Sequence, residues 1–296
     1  MVSFTEIVEW LMSPSPVVFF VGFFIVMFVP VLMHTIMVAH AESDLPLVLV
    51  AGPSQTGKTA LAHLLETGHQ AHFSFISQVA QSIELTASRD GDRKDSFREN
   101  RDDTTGTHTK FLLTETPGHG KLRPQTLTKI TDTTGGKKTT LRSVVYLVDA
   151  AALAEQEVLA DTAEYLYDIL LTLQKASIRK SKDGVRSGSR GVPVLIAANK
   201  SDLFTALPGT SIKTSLEAEI TRIRNSKTHG LLDSGVGTDE IGSEERDDWL
   251  GEYGTKKFFF SQLSEFEIDV DVISGTVTGN KDQGIQKWWQ WIAYRV

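Results

Sequence analysis

Gly52-Pro53-Ser54-Gln55-Thr56-Gly57-Lys58-Thr59 follows the apolar run Leu45-Pro46-Leu47-Val48-Leu49-Val50-Ala51 and leads into Ala60-Leu61-Ala62-His63-Leu64-Leu65. The octet has the form G-x-x-x-x-G-K-[ST], and its flanks are the ones that form needs. The Val-rich run before it reads as a buried parallel strand, and the stretch from Thr59 onward as the start of a helix. In a strand–loop–helix the two glycines let the backbone curl until successive N–H groups point inward at a phosphate, and the helix N-terminus adds a favourable field. Lys58 then reaches the β- and γ-phosphates, and the Thr59 hydroxyl ligates Mg²⁺. Gly52, Pro53, Ser54, Gln55, Thr56, Gly57, Lys58 and Thr59 are therefore the expected phosphate-binding residues. The chain is expected to bind a nucleoside triphosphate.

Composition bounds the rest. A chain of 296 residues has room for one or two domains, and 41% hydrophobic with 23% charged residues is ordinary for a chain that builds a core. The net charge of −7 gives no reason to expect nucleic acid as a direct partner. With no cysteine in the sequence, disulfides, thiol catalysis and thiolate metal sites are excluded.

The N-terminal region divides into a tail at 1–16, an apolar stretch at 17–38 and a tether at 39–44, with the nucleotide domain occupying 45–296. The stretch from Val17 to Val38 carries no Asp, Glu, Lys or Arg. As a helix it covers about 33 Å, enough to cross the hydrocarbon of a bilayer. Pro30 is tolerable inside such a helix. A cleaved signal peptide fits poorly, because the tail has no basic residue, the apolar stretch is too long and no small-residue cleavage site follows. A core helix fits worse, since one unbroken apolar run of this length is unusual before a soluble fold. Residue 2 is Val, which excludes N-myristoylation. The expectation is a single membrane span. Flanking charge says little about its orientation, because the first basic residue after it is Lys58. A nucleotide-using domain belongs in the cytosol with its ligand, so the tail is expected on the far side, and the short tether would keep the domain close to the membrane surface.

Further along, Thr109–Thr114, Val144–Val148, Val192–Ala198 and Phe266–Ile273 read as strands, while Leu153–Lys175 and Gln283–Tyr294 read as helices. Trp288, Trp289, Trp291 and Ile292 on the closing helix suit core packing better than a ligand box. Thr131–Thr140 reads as a polar linker, and polar insertions are expected near 88–108, 177–191 and 225–257. The basic residues of 177–191 suit a solvated loop better than a headgroup contact. Strands alternating with helices make an α/β protein with an open, mostly parallel central sheet and its site at the strand carboxyl ends.

The nucleotide is narrowed by Asn199-Lys200-Ser201-Asp202, which has the form N-K-x-D at the end of a strand. The Asp202 carboxylate can accept two hydrogen bonds from guanine N1–H and the exocyclic amine, a pattern that adenine lacks. Asn199 can donate to the purine, and the aliphatic stem of Lys200 can cover the ring face. A plainer role, capping a helix at Ser201 or Asp202, is compatible with that one. Glu115-x-x-Gly118 resembles the D-x-x-G of a second switch, in which the Gly118 N–H meets the γ-phosphate and the carboxylate holds a Mg²⁺ water. Here the acid is one methylene longer. His119 follows, where Ras-like GTPases place a water-orienting Gln and the Sar class a His, and is the candidate catalytic residue. An exposed His with no part in hydrolysis is the bland alternative.

Taken together, these residues resemble one family, the β subunits of signal recognition particle receptors. The carrying features are the N-terminal apolar span, Gly52–Thr59, Gln81-Ser82-Ile83, Thr116-Pro117-Gly118-His119 with Leu122-Arg123, Asn199–Asp202 and Phe260-Ser261-Gln262-Leu263. The resemblance implies a P-loop NTPase of the Ras-like small GTPase fold with one N-terminal transmembrane helix, using GTP and Mg²⁺. By the same resemblance Ser82 stands where the first-switch Thr would reach Mg²⁺, Glu115 holds the metal through a water, and Ser274-Gly275 stands where a Ser-Ala loop backs the guanine. It also implies a heterodimer with the receptor α subunit, held at the endoplasmic reticulum membrane with the GTPase domain in the cytosol. Slow hydrolysis is expected, because no in-chain arginine can be placed as a finger. The alternatives are a cycling coat-recruitment GTPase, which would gain from a reversible anchor rather than a fixed span, and an ATPase subunit, against which Asn199–Asp202 argues.

Overall fold

The computed structural model describes residues 16–41, 45–69, 77–88, 108–135, 140–182, 191–233, 249–251, 254–278 and 283–296. The chain divides into two compact units, Met1–Asp44 and Leu45–Val296. The described residues of the first unit form a helix, α1 (Pro16–Ala41), of 26 residues with Pro30 inside it. Phe24 and Phe28 stack along it with ring centroids 4.1 Å apart. Thr35 Oγ1 donates to Leu32 O at 2.8 Å, so its polar group is satisfied within the helix. Among the residues whose side chains are described, which in α1 are 16–17, 19–20 and 22–35, no helix offers a run long and apolar enough to cross a membrane.

The second unit is built on a six-stranded sheet. In chain order its elements are β1 (Leu47–Ala51), α2 (Lys58–Thr67), β2 (Gln81–Ser88), β3 (His108–Glu115), α3 (Arg123–Gly135), β4 (Leu141–Asp149), α4 (Gln156–Lys182), β5 (Val194–Asn199), α5 (Gly209–Asp233), β6 (Val270–Ser274) and α6 (Gln283–Arg295), with short 3₁₀ turns at Gly120–Leu122, Ala152–Ala154 and Phe260–Phe266. The strand order is β2-β3-β1-β4-β5-β6. Only the β2–β3 pair is antiparallel; the other pairs are parallel. This is the Ras-like α/β architecture.

Burial follows the sequence pattern. Strands β1 and β5 are buried along their whole length, as the unbroken apolar runs require of central parallel strands. One face of the sheet is covered by α3, α4 and α5 through Ile130, Leu166, Leu170, Ile212 and Leu216. The other is covered by α2 and α6 through Leu61, Leu65, Trp288, Trp289 and Ile292. The tryptophans of the closing helix are thus core residues, and two of them anchor through their indole N–H groups, Trp288 to Ile273 O at 3.0 Å and Trp291 to Asp271 Oδ2 at 2.7 Å.

Several expected loops are helix. α3 runs through 131–135 of the expected linker, where the threonines that suggested a coil return their hydroxyls to the helix: Thr131 Oγ1 donates to Leu127 O at 3.0 Å and Thr134 Oγ1 to Ile130 O at 2.6 Å. α4 continues to Lys182, with Ser177 Oγ donating to Phe266 O at 2.9 Å, and α5 continues to Asp233. Residues 89–107, 183–190 and 234–248 of the expected insertions lie outside the described residues. The last strand starts four residues later than expected, because Phe260–Phe266 forms a 3₁₀ turn closed by Glu267 at φ 59°, whose N–H reaches Leu263 O and Ser264 O. No helix begins at Ser201 or Asp202, so neither is a cap; the next helix starts at Gly209.

Candidate functional site

The carboxyl ends of β1, β3, β4, β5 and β6 converge, and each delivers one part of the site. The loop Gly52–Gly57 leaves β1 and closes onto α2. Gly57 sits at φ 95°, and a Cβ there would lie 2.4 Å from Asn199 Nδ2, so both the dihedral and the close approach call for glycine. Lys58, 5% exposed, folds back over the loop and donates from Nζ to Gly52 O at 2.9 Å and Pro53 O at 2.6 Å. Burial pushes this ammonium down to about 8; the Glu115 carboxylate works against the shift and the Arg123 guanidinium adds to it. An anionic group brought to Lys58 would restore its charged form. Thr56 Oγ1 closes the turn on Pro53 O at 3.0 Å. Ser54 is half-buried, and Gln55 is exposed in the left-handed region at φ 65°.

From β3 come Glu115 and Gly118. Glu115 Oε1 accepts the Thr59 hydroxyl at 2.5 Å and the Ser77 hydroxyl at 2.9 Å. This cluster of hydroxyl and carboxylate oxygens next to a phosphate loop has the hard-oxygen chemistry that Mg²⁺ takes. Ser82 is not part of it: in β2 it stands opposite Thr114 and shares a hydrogen bond with Thr114 Oγ1 at 2.9 Å. The hydroxyl that reaches Glu115 from this side of the sheet is that of Ser77. Sequence reasoning missed Ser77, since nothing in residue type separates the two serines until the register of β2 is known. Gly118 packs so tightly on the phosphate loop that a Cβ would lie 2.5 Å from both Gly52 O and Lys58 Nζ. His119 is exposed, and its Nδ1 accepts the Lys121 N–H at 3.3 Å, capping the 3₁₀ turn Gly120–Leu122.

The base end of the site is made by β5 and β6. Asn199, 3% exposed, uses both ends of its carboxamide on backbone: Nδ2 donates to Thr56 O at 2.8 Å and Oδ1 accepts from Val277 N at 3.0 Å. It ties the phosphate loop to the loop after β6, which is a different task from the purine contact expected of it. Lys200, at φ 60°, donates from Nζ to Asp149 Oδ2 at 2.5 Å, while Asp149 Oδ1 accepts the N–H groups of Ala151 and Ala152. Asp149 at the end of β4 thus fixes the course of the Lys200 stem. Ser201 donates to Gly275 O from both N at 3.2 Å and Oγ at 2.8 Å, and Gly275 N donates to Ala198 O at 2.8 Å. Asn199, Lys200, Asp202, Ser274 and Gly275 are therefore brought together, with Asp202 exposed beside them. Gly275 has no room for the Ala of the expected Ser-Ala loop, since a Cβ would lie 2.7 Å from the Trp288 ring.

A family model described as signal recognition particle receptor beta subunit matches residues 43–266. The signal recognition particle receptor subunit beta of Saccharomyces cerevisiae is 30% identical over 253 residues, covering 85% of this chain and 84% of that protein. Among solved structures, the chain resembles that of the signal recognition particle receptor SRb-GTP/SRX complex from Chaetomium thermophilum, with a TM-score of 0.68 and 35% identity over 85% of this chain and 100% of that one. It also resembles SRb-GDP-Mg from the same organism, with a TM-score of 0.61 and 37% identity over 86% and 99% of the two chains.

Proposed function

This chain belongs to the signal recognition particle receptor beta subunit family, and on that premise we propose that it is the membrane-anchored GTP-binding subunit of such a receptor. It binds the receptor α subunit in its GTP form and holds it at the endoplasmic reticulum membrane for co-translational protein targeting. The observation that carries this reading is the joining of a phosphate loop to an N-K-x-D loop through Asn199. The solved relative with GTP is in complex with SRX, and another relative holds GDP and Mg.

In this reading Gly52–Thr59 hold the phosphates, Lys58 neutralises them, and Asp202 reads guanine with Lys200 and Ser274-Gly275 around the base. Mg²⁺ would be held by the Thr59 hydroxyl with Glu115 and Ser77, whose oxygens already lie together, and would supply charge neutralisation at the phosphates. Gly118, against the phosphate loop, gives the second switch a backbone N–H close to where a γ-phosphate ends. A ligand that engages Gly118 and the Ser77 segment together orders both, and an ordered pair of segments is a surface that binds without further entropy cost. The helix α1, with no ionised side chain along Val17–Val38, is the anchor.

The test uses the full chain in detergent. Loaded with GTP or a non-hydrolysable analogue, it should capture the α subunit at least tenfold better than when loaded with GDP or stripped of nucleotide. Equal capture in every state would make it a constitutive anchor and remove the switch.

A further inference from the structure

Beside the phosphate loop, a buried oxygen of the described residues stands unexplained, Glu115 Oε2. The residue is 1% exposed, and this oxygen has no hydrogen-bond partner. The other oxygen, Oε1, accepts both the Thr59 and the Ser77 hydroxyls. A carboxylate oxygen buried without a donor or a cation costs more than an ordinary lost hydrogen bond, so this arrangement calls for a positive partner. The backbone cannot retreat to relieve it. Glu115 stands opposite Val50 on one side and Gln81 on the other, and the next residue, Thr116, donates from N to Val50 O at 2.9 Å. Lys58 Nζ, the nearest ammonium of the loop, is directed at Gly52 O and Pro53 O.

Octahedral geometry decides which carboxylate oxygen meets a metal. With metal–oxygen bonds of about 2.0–2.1 Å, neighbouring ligand oxygens lie about 3 Å apart. Thr59 Oγ1 and Glu115 Oε1, at 2.5 Å, are too close together to be two ligands of one such ion. That distance instead suits a hydroxyl that ligates through its lone pair and donates its proton to a carboxylate. Oε2 is the oxygen that remains. The extra methylene of Glu over Asp also carries the carboxylate about 1.3 Å further from the fixed end of β3, into the room a bridging water would take.

We propose that Glu115 ligates the nucleotide's divalent cation directly through Oε2, with no intervening water, while Oε1 orients the Thr59 and Ser77 hydroxyls. This rests on the reading of the site as a metal–nucleotide site and concerns only how the metal is held. The experiment loads the full chain in detergent with GDP and Mn²⁺ in place of Mg²⁺, with the glutamate side-chain carboxyls labelled with ¹³C. Electron–nuclear double resonance should show one strongly coupled carboxyl carbon. Line broadening in ¹⁷O-water should count one more metal-bound water in Glu115→Ala than in the unaltered chain. A weak carbon coupling in protein that holds both Mn²⁺ and GDP overturns direct ligation and leaves the nucleotide reading standing; so do equal water counts. Protein that takes up neither Mn²⁺ nor GDP overturns both. The labelled, unaltered chain decides the matter even if Glu115→Ala does not fold.

Discussion

Neighbouring residues of the N-K-x-D loop do separate work, and their substitutions should differ in kind. Asn199→Ala removes the partner of Thr56 O and of the buried Val277 N–H together. Two unmet backbone groups at about 1–3 kcal/mol each should lower stability by about 2–6 kcal/mol in denaturant unfolding and weaken GTP and GDP alike. Asp202→Asn should leave stability within about 0.5 kcal/mol, because the residue is exposed. It exchanges an acceptor for a donor opposite the base, so GTP binding should fall by several kcal/mol while xanthosine nucleotides gain. Unchanged GTP affinity in a calorimetric titration would sink that assignment. Lys58 adds a pH dependence. Its pKa is lowered to about 8 by burial, and it meets phosphate as an ammonium, so the bound form must have the higher pKa. The complex therefore takes up a proton above that value. Affinity should be flat with pH below about 8 and fall up to tenfold per unit above it, until the bound-state pKa is reached. Titrations at pH 7 and pH 9 check the slope, and an affinity that rises with pH contradicts it.

Among the elements, those whose fate depends on local pattern alone were legible. The Val-rich runs of β1, β4 and β5 are buried on both faces, so their burial shows in composition, and the phosphate loop and N-K-x-D loop are motifs whose spacing encodes their chemistry. What was hidden depends on partners distant in sequence. β2, Gln81-Ser82-Ile83-Glu84-Leu85-Thr86-Ala87-Ser88, has weak alternation and becomes a strand by pairing antiparallel with β3. Its register is what carries Ser82 to Thr114 and leaves the Glu115 contact to Ser77. The threonines of α3 looked like a linker because their hydroxyl bonds to carbonyls four residues back are invisible in composition. The 3₁₀ turn Gly120–Leu122 belongs to the same class, being capped by His119. The contact this exposed ring makes is a cap on a backbone N–H, made through Nδ1. GTP turnover by the chain alone should be slow, and His119→Ala should change the single-turnover rate by less than about threefold. Fast turnover that His119→Ala abolishes would make His119 catalytic after all.

For the whole molecule, the proposed anchor rests on α1. At 26 residues α1 extends about 39 Å, against about 30 Å of hydrocarbon, although its described side chains alone do not make a run long and apolar enough to cross. Its large side chains are exposed along the helix, from Phe19 and Phe20 to Leu32 and Met33, and an apolar surface of that size in water is costly unless something covers it. Lipid is the covering that needs no polar partner for these side chains, and the helix satisfies its own interior backbone groups except the Val26 carbonyl opposite Pro30. The Leu45–Val296 unit, by contrast, closes its own core on both faces of the sheet and carries the proposed nucleotide site. These two facts together set the expected topology: one span, the Leu45–Val296 unit in the cytosol, and the short N-terminal tail across the membrane. In microsomes the full chain should stay with the membrane through alkaline carbonate extraction, and deletion of 16–41 should release it. Added protease should digest the Leu45–Val296 unit, and a glycosylation acceptor inserted near Ser3 on an extended tail should be modified. Extraction of the full chain by carbonate would remove the anchor, and protection of the Leu45–Val296 unit from protease would reverse the topology.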